Sequence, residues 1–274
     1  GLYQGAGKKL CVPGLNCYSC PAAAGACPIG AYQAVVGSSK FRFSYYITGF
    51  LLLVGVLLGR FLCGFLCPFG WVQELLHKIP TKKHSTKKLK PLTYLKYAVL
   101  VGMVCLMPAL LVNDVGMGDP FFCKYLCPQG VLEGAIPLSL VHSGIRAALG
   151  ALFTWKCSIL LGVVVLSVVF YRPFCKWLCP LGAFYALFNR VSLFQMKVDK
   201  SKCVSCGKCA RACKMDVDVT KTPNHTECIR CGMCVRACPT NAVRFRCGFG
   251  DGKNNEAAAE MPQKSDNKNK EELK

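Results

Sequence analysis

Residues 203–213 read CVSCGKCARAC and residues 228–239 read CIRCGMCVRACP. Cys203, Cys206, Cys209 and Cys213 stand at C-x2-C-x2-C-x3-C spacing, and Cys228, Cys231, Cys234 and Cys238 repeat it, the second run closed by Pro239. Three thiolates two residues apart can wrap one corner of an iron-sulfur cubane within a single tight loop, and a more distant cysteine closes it. Gly207 and Gly232 follow the second thiol of each run, where backbone that turns tightly around inorganic sulfide needs freedom in φ.

This is the spacing of a bacterial two-cluster ferredoxin, in which the fourth cysteine of each run serves the other run's cluster. The expected ligand sets are Cys203, Cys206, Cys209 and Cys238 for one [4Fe-4S] cluster, and Cys228, Cys231, Cys234 and Cys213 for the other. Zinc and disulfides also use cysteine, but two matched runs, the second closed by Cys-Pro, favour clusters. Such a module moves electrons and does no bond chemistry.

The remaining chain needs a different solvent. It belongs to a protein of 274 residues with 21 cysteines, a net charge of +20 and 53% hydrophobic residues, whereas a soluble two-cluster ferredoxin is short and usually acidic. Three apolar runs, 43–62, 92–112 and 153–171, approach the roughly 20 residues that a helix needs to cross hydrocarbon. Between the first and second lies KIPTKKHSTKKLK, whose Lys78, Lys82, Lys83, Lys87, Lys88 and Lys90 assign that loop to the cytoplasm by the positive-inside rule. The loop 113–154 sets Lys124 and Arg146 against Asp114, Asp119 and Glu133, and reads as external. Lys8, Lys9, Lys40 and Arg42 pull mildly against that topology. The chain opens at Gly1 without a methionine, which leaves room for a preceding helix or a removed initiator, and no signal peptide is visible.

The expected organisation is a Cys-rich external segment (1–42), a membrane domain (43–192), a ferredoxin domain (193–247) and a disordered Gly-, Asn-, Lys- and Glu-rich tail (248–274). The fold class is mainly α: a multi-pass membrane protein with paired C-x3-C-P corners, carrying a small α+β two-cluster ferredoxin-like domain on the cytoplasmic side.

The first run ends in GRFLCGFLCPFG and the third in YRPFCKWLCPLG, which contain Cys63, Cys67, Pro68 and Cys175, Cys179, Pro180. Cysteines four apart on a helix share a face, so each pair is expected to present two thiols toward one point. Each proline is expected to push its preceding cysteine out of helical geometry and to start a new helix. Val72, Leu75, Leu76 and Ile79 after Cys67 match Phe184, Leu187, Phe188 and Val191 after Cys179, so each half repeats a span, a corner and an amphipathic surface helix. Together Cys63, Cys67, Cys175 and Cys179 suit a third [4Fe-4S] cluster at the inner membrane surface; packed or redox-active thiols are the alternative. Arg60 and Arg172, three residues before each pair, are expected to snorkel to the interface, with offsetting of cluster charge as the sharper role.

Cys11, Cys17, Cys20 and Cys27 crowd the N-terminal segment, and Cys123-Lys-Tyr-Leu-Cys127-Pro128 follows the second run. Leu132, Ala135 and Ile136 match the offsets of Tyr32, Val35 and Val36 after Cys27, so the two external corners resemble each other. Cys17, Cys20, Cys27, Cys123 and Cys127, with Cys11 least certain, offer either a fourth cluster or disulfides. Cys105 and Cys157 fall inside spans and read as small packed residues, with mid-membrane ligation as the alternative. Glu133, His142 and Arg146 make the stretch after Cys127 too polar to span; His142 reads as a solvated residue and Cys247 as a free thiol.

Apolar spans, CGFLCPFG and CKWLCPLG corners and a C-terminal two-cluster module together resemble the NapH, NosR and YccM group of membrane-bound 4Fe-4S proteins, over Phe43–Val243. That resemblance carries cluster ligation onto Cys63, Cys67, Cys175 and Cys179 and onto the eight ferredoxin cysteines. It implies electron transfer at the cytoplasmic membrane, between a cytoplasmic ferredoxin or flavodoxin donor, or a quinone, and a membrane or external redox partner, as in anaerobic respiration. The CKYLCP motif and the N-terminal segment depart from the simpler NapH pattern, and no flavin-attachment domain like that of NosR is visible. A redox-sensing or maturation factor for a partner reductase is the alternative. No nucleotide loop, acid-base pair or substrate motif stands out, so the chain reads as a component of an oxidoreductase system and not as its catalytic subunit. Its positive charge follows from inner loops and tail and suits anionic lipid or an acidic partner, so no nucleic-acid partner is expected.

Overall fold

A computed structural model describes residues 11–17, 25–38, 45–112, 118–141, 144 and 150–248, without the side chains of Lys87 and Lys88. Cys20, His142, Arg146 and the tail beyond Gly248 lie outside the described residues.

The chain is mostly helical: α1 (Pro28–Gly37), α2 (Tyr45–Leu58), α3 (Phe61–Phe65), α4 (Pro68–His77), α5 (Leu89–Leu110), α6 (Phe122–Leu126), α7 (Gly130–Val141), α8 (Ala151–Val169), α9 (Pro173–Trp177) and α10 (Pro180–Phe188). By length and composition α5 and α8 can cross a membrane, and α2 and α7 are apolar but shorter. The first apolar run is therefore not the single helix expected through Leu62. It breaks at Gly59, which adopts a φ of 54° and where a Cβ would lie 2.9 Å from Asn189 Oδ1, so both backbone conformation and space demand glycine.

After α10 come β1 (Phe194–Val198), α11 (Lys208–Ala212), α12 (Met233–Arg236) and β2 (Val243–Cys247). The strands pair antiparallel from Phe194↔Cys247 to Val198↔Val243 and close this small α+β module on itself. Cys247 ends β2 as an exposed thiol.

The module is locked to the helical part by buried ions. Glu227 accepts from Arg60 Nη1 at 2.8 Å and from Lys96 of α5. Arg230 donates to Leu58 O (2.9 Å), Asn189 O (2.6 Å) and Ser192 Oγ (2.7 Å), and Asn189 Nδ2 donates to His225 O and Cys228 O. Lys176 joins Thr86, Lys214 O and Asp216. A Cβ on Gly64 would stand 2.9 Å from Ile229 O, so α3 and the Cys228 run approach backbone to backbone.

One expectation about the arginines changes here. Arg60 and Arg172 do not snorkel: their residues are 0% and 1% exposed. A buried guanidinium is tolerated because it is paired and hydrogen-bonded, Arg60 to Glu227 and Arg172 to Glu74 at 2.6 Å. The inner and outer corners share one packed core. Cys11, Leu15, Ile29, Cys63, Cys67, Cys127, Cys179 and Tyr185 belong to one buried core. Gly14 lies against Cys67, where a Cβ would come within 3.2 Å of its Cα. Lysine counts speak for loops, and say nothing of how deeply a Cys-Pro corner packs between helices.

Burial opposes the charge of Glu227, but Arg60 and Lys96 outweigh it and bring its pKa down to about 2. Its stabilisation, about 3 kcal/mol, is complete above the ordinary carboxylate value and is lost as pH falls toward 2. Glu227→Gln is expected to cost about 3 to 5 kcal/mol by leaving two cations uncompensated. Thermal unfolding and protease release of the C-terminal module should both shift to lower temperature, and unchanged behaviour would contradict this docking.

Candidate metal centres

Gly207 and Gly232 take φ values of 68° and 77°, and Ser205 and Arg230, two residues earlier in each run, take 52° and 53°. These matched left-handed turns curl each run around a cavity. One cavity is lined by Cys203, Cys206, Cys209 and Cys238, the other by Cys213, Cys228, Cys231 and Cys234. The fourth cysteine of each run thus faces the other run's loop. Burial pushes the Cys234 thiol up to about 12. At Cys238 burial also raises it, but hydrogen bonds from Thr240 and the Ala242 amide (3.3 Å) bring it below its ordinary value.

At the inner corner Cys63 sits within α3, while Cys67 is extended (φ −81°, ψ 113°) and caps α4. Cys175 sits within α9, and Cys179 (φ −71°, ψ 111°) caps α10. The expected shared helix face is therefore replaced by a break at the second cysteine, because Pro68 and Pro180 disfavour helical geometry before them. All four residues are buried. Burial, then Cys175 and Cys63, push the Cys67 thiol up to about 12. Buried thiols become thiolates readily only with positive charge among them, as an iron-sulfur core supplies. Among the described residues no three His, Cys, Asp or Glu side chains converge as one metal ion requires; a four-iron cluster holds its thiolates farther apart than a single zinc does.

The arginines act crosswise. Arg60 Nη2 donates to Cys175 O (3.2 Å), and Arg172 Nη1 donates to Cys63 O (2.5 Å). Arg60 Nε and Arg172 Nε are buried without a protein partner, as suits cations beside an anionic group. Gln73 Nε2 donates to Cys175 Sγ at 3.2 Å and the Gly182 amide to Cys179 Sγ at 3.3 Å. Hydrogen bonds to cluster sulfurs tune potential.

In the outer group Cys27 caps α1, and Cys123 and Cys127 flank the rest of α6's last turn. Cys17, Cys27 and Cys127 all lie within electrostatic reach of Cys123. Cys11 reaches Cys27 and not this whole group. Cys105 stands beside Tyr32. Reading by cysteine spacing missed Gln33, Gln73 and Glu227. The two glutamines had a signal, each falling six residues after a Cys-Pro cysteine; Glu227 had none, since its partners are remote in sequence.

The family description 4Fe-4S binding domain matches residues 43–87, 97–136 and 154–201 in one form and 196–217 and 222–244 in a second, ferredoxin-type form. Each C-x3-C-P motif falls within one of the first three segments. The uncharacterized protein MJ0750 of Methanocaldococcus jannaschii is 31% identical over 209 residues, covering 73% of this chain and 77% of the relative. The chain belongs to the NapH/NosR/YccM-like family of 4Fe-4S proteins. YccM of Escherichia coli, 26% identical, is matched over 62% of this chain and 45% of its own length. The methylamine utilization ferredoxin-type protein MauN of Paracoccus denitrificans is 31% identical, with 60% of this chain and 50% of the relative covered. The chain thus spans about half the length of these two family members. No solved structure matches it significantly.

The crossed lining of the two cavities makes a test by double substitution. Cys213→Ala with Cys228→Ala should remove about four irons, no more than either change alone, whereas Cys213→Ala with Cys203→Ala should remove about eight. Iron analysis giving the opposite pattern would show that each run keeps its own fourth cysteine.

Proposed function

We propose that the chain is a membrane-bound electron relay, with Cys203, Cys206, Cys209 and Cys238, then Cys213, Cys228, Cys231 and Cys234, then Cys63, Cys67, Cys175 and Cys179 as three successive [4Fe-4S] sites. Clusters bound there supply one-electron carriers; the protein supplies their order, insulation and electrostatics. The observation that carries the reading is the fixed junction between the second and third sites. Ile229, within the Cys228 run, meets α3 at Gly64, and Arg172, bonded to Cys63 O, lies within electrostatic reach of Cys231. A sensor has no need of this rigid contact, but tunnelling does, because it falls steeply with distance.

The exposed first run, with Cys206 at the surface, suits a soluble ferredoxin or flavodoxin donor. Helices α5 and α8 and the exposed stripe of Leu75, Ile79, Leu187 and Val191 suit a bilayer. The positive-inside argument puts the ferredoxin module in the cytoplasm. A membrane or external redox partner, or a quinone, would take the electron onward.

Iron and acid-labile sulfide in anaerobically purified protein, with EPR of the reduced state, test the third site. Cys63→Ser with Cys175→Ser should lose about four irons while both ferredoxin signals persist. About eight irons in wild type and variant alike would overturn the relay and favour the redox-sensing or maturation reading.

A further inference from the structure

The outer cysteines share a construction with the inner corner that spacing alone does not reveal. Gln33 follows Cys27 by the interval at which Gln73 follows Cys67. Gln33 Nε2 donates to Cys123 Sγ (3.3 Å) and Gln33 Oε1 accepts from the Phe122 amide (3.1 Å). Gln73 Nε2 donates to Cys175 Sγ (3.2 Å) and Gln73 Oε1 accepts from the Phe174 amide (3.2 Å). Both glutamines are buried, at 0% and 1% exposure, and both also donate to the carbonyl four residues earlier, Ile29 and Phe69. A buried amide is costly unless both of its ends are used. Here both ends fix a cysteine and the amide preceding it.

Backbone geometry extends the match. Cys27 (φ −67°, ψ 126°) and Cys127 (φ −73°, ψ 114°) are extended before proline as Cys67 and Cys179 are. The amides of Cys127 and Cys179 both reach back five residues, to Phe122 O and Phe174 O, at 2.9 Å. Cys27, Cys123 and Cys127 therefore correspond to Cys67, Cys175 and Cys179. The position corresponding to Cys63 is Ala23, so one thiol must come from elsewhere. Cys17 supplies it: its amide donates to Glu133 Oε2 (3.0 Å), and its Sγ stands 3.7 Å from where a Cβ on Gly130 would lie.

Charge is the independent observation. Lys156 extends from the apolar α8, donates to Cys123 O at 3.0 Å, and comes within 3.6 Å of that same Gly130 position. No carboxylate forms an ion pair with it among the described residues. An ammonium on an apolar helix calls for an anion nearby. Arg60 plays the same part at the inner corner, bonding the carbonyl of Cys175, the counterpart of Cys123.

We propose that Cys17, Cys27, Cys123 and Cys127 form a second corner site that takes a fourth [4Fe-4S] cluster, with Cys11 and Cys20 outside its ligand set. The proposal rests on reading the inner corner as a cluster site. It also supplies the next station beyond that corner. Tyr185 is fully buried between the two, within electrostatic reach of Cys63, Cys67 and Cys27, and its hydroxyl donates to Pro13 O at 3.3 Å.

Iron and acid-labile sulfide per full chain, purified anaerobically, decide the matter. Wild type should hold about sixteen irons, Cys123→Ala with Cys127→Ala about twelve, and Cys11→Ala and Cys20→Ala should match wild type. No loss in the Cys123/Cys127 variant, beside a four-iron loss in the Cys63/Cys175 variant, would overturn the outer site alone. No loss in either would remove the inner reading as well. A loss in Cys20→Ala but not in Cys17→Ala would overturn the ligand set. Should the double variant fail to accumulate, Gln33→Leu keeps every thiol and removes only the N–H···S bond; a redox titration followed by EPR should then show one signal moved to lower potential, and an unmoved set would overturn the proposal.

Discussion

A proline disfavours helical geometry at the cysteine before it, and the architecture of this protein follows from that constraint. At Cys27, Cys67, Cys127 and Cys179 the backbone is extended, and at Cys27, Cys67 and Cys179 a helix begins on the next residue. The break turns each thiol inward at a corner, where the amides of the new helix are unsatisfied and favour a negative sulfur. Corners are then joined in pairs, because a glutamine on the helix after one Cys-Pro reaches the first cysteine of the corner two further along the chain, Gln33 to Cys123 and Gln73 to Cys175. The helical repeat and the cysteine pairing are one device.

Concentrating thiols in a buried core creates an electrostatic problem that the rest of the chain answers. Arg60, Arg172 and Lys156 bond the carbonyls of Cys175, Cys63 and Cys123, bringing cations beside the cysteine groups. Buried cations need compensation of their own. Glu227 provides it for Arg60 and Lys96, and in doing so ties the ferredoxin module to the inner corner. Docking and charge balance are thus the same interaction.

Much of the site was legible in the sequence because cysteine spacing encodes loop geometry locally. The left-handed glycines Gly207 and Gly232 and the helices starting at Pro68 and Pro180 depend on near neighbours, and the crossed lining by Cys213 and Cys238 follows from the repeated spacing. What escaped depends on distant ones. Arg60 reads as a snorkelling residue until Glu227 is placed against it, and the break at Gly59 depends on Asn189 lying alongside. The apolar stripe of α4 was visible, but its opposite face, carrying Gln73, is the one that packs on the site. Hydropathy reported where lipid or core is needed, and could not report that inner and outer corners share one core.

The most direct test of the central claim, that the ferredoxin module and the corner form one continuous path, is the magnetic interaction between reduced centres. EPR relaxation measurements on the reduced protein should show the signal from the Cys228 run coupled to a third signal, with the coupling abolished when Cys63 and Cys175 are replaced. Two ferredoxin signals that relax alike with and without those corner cysteines would contradict the account.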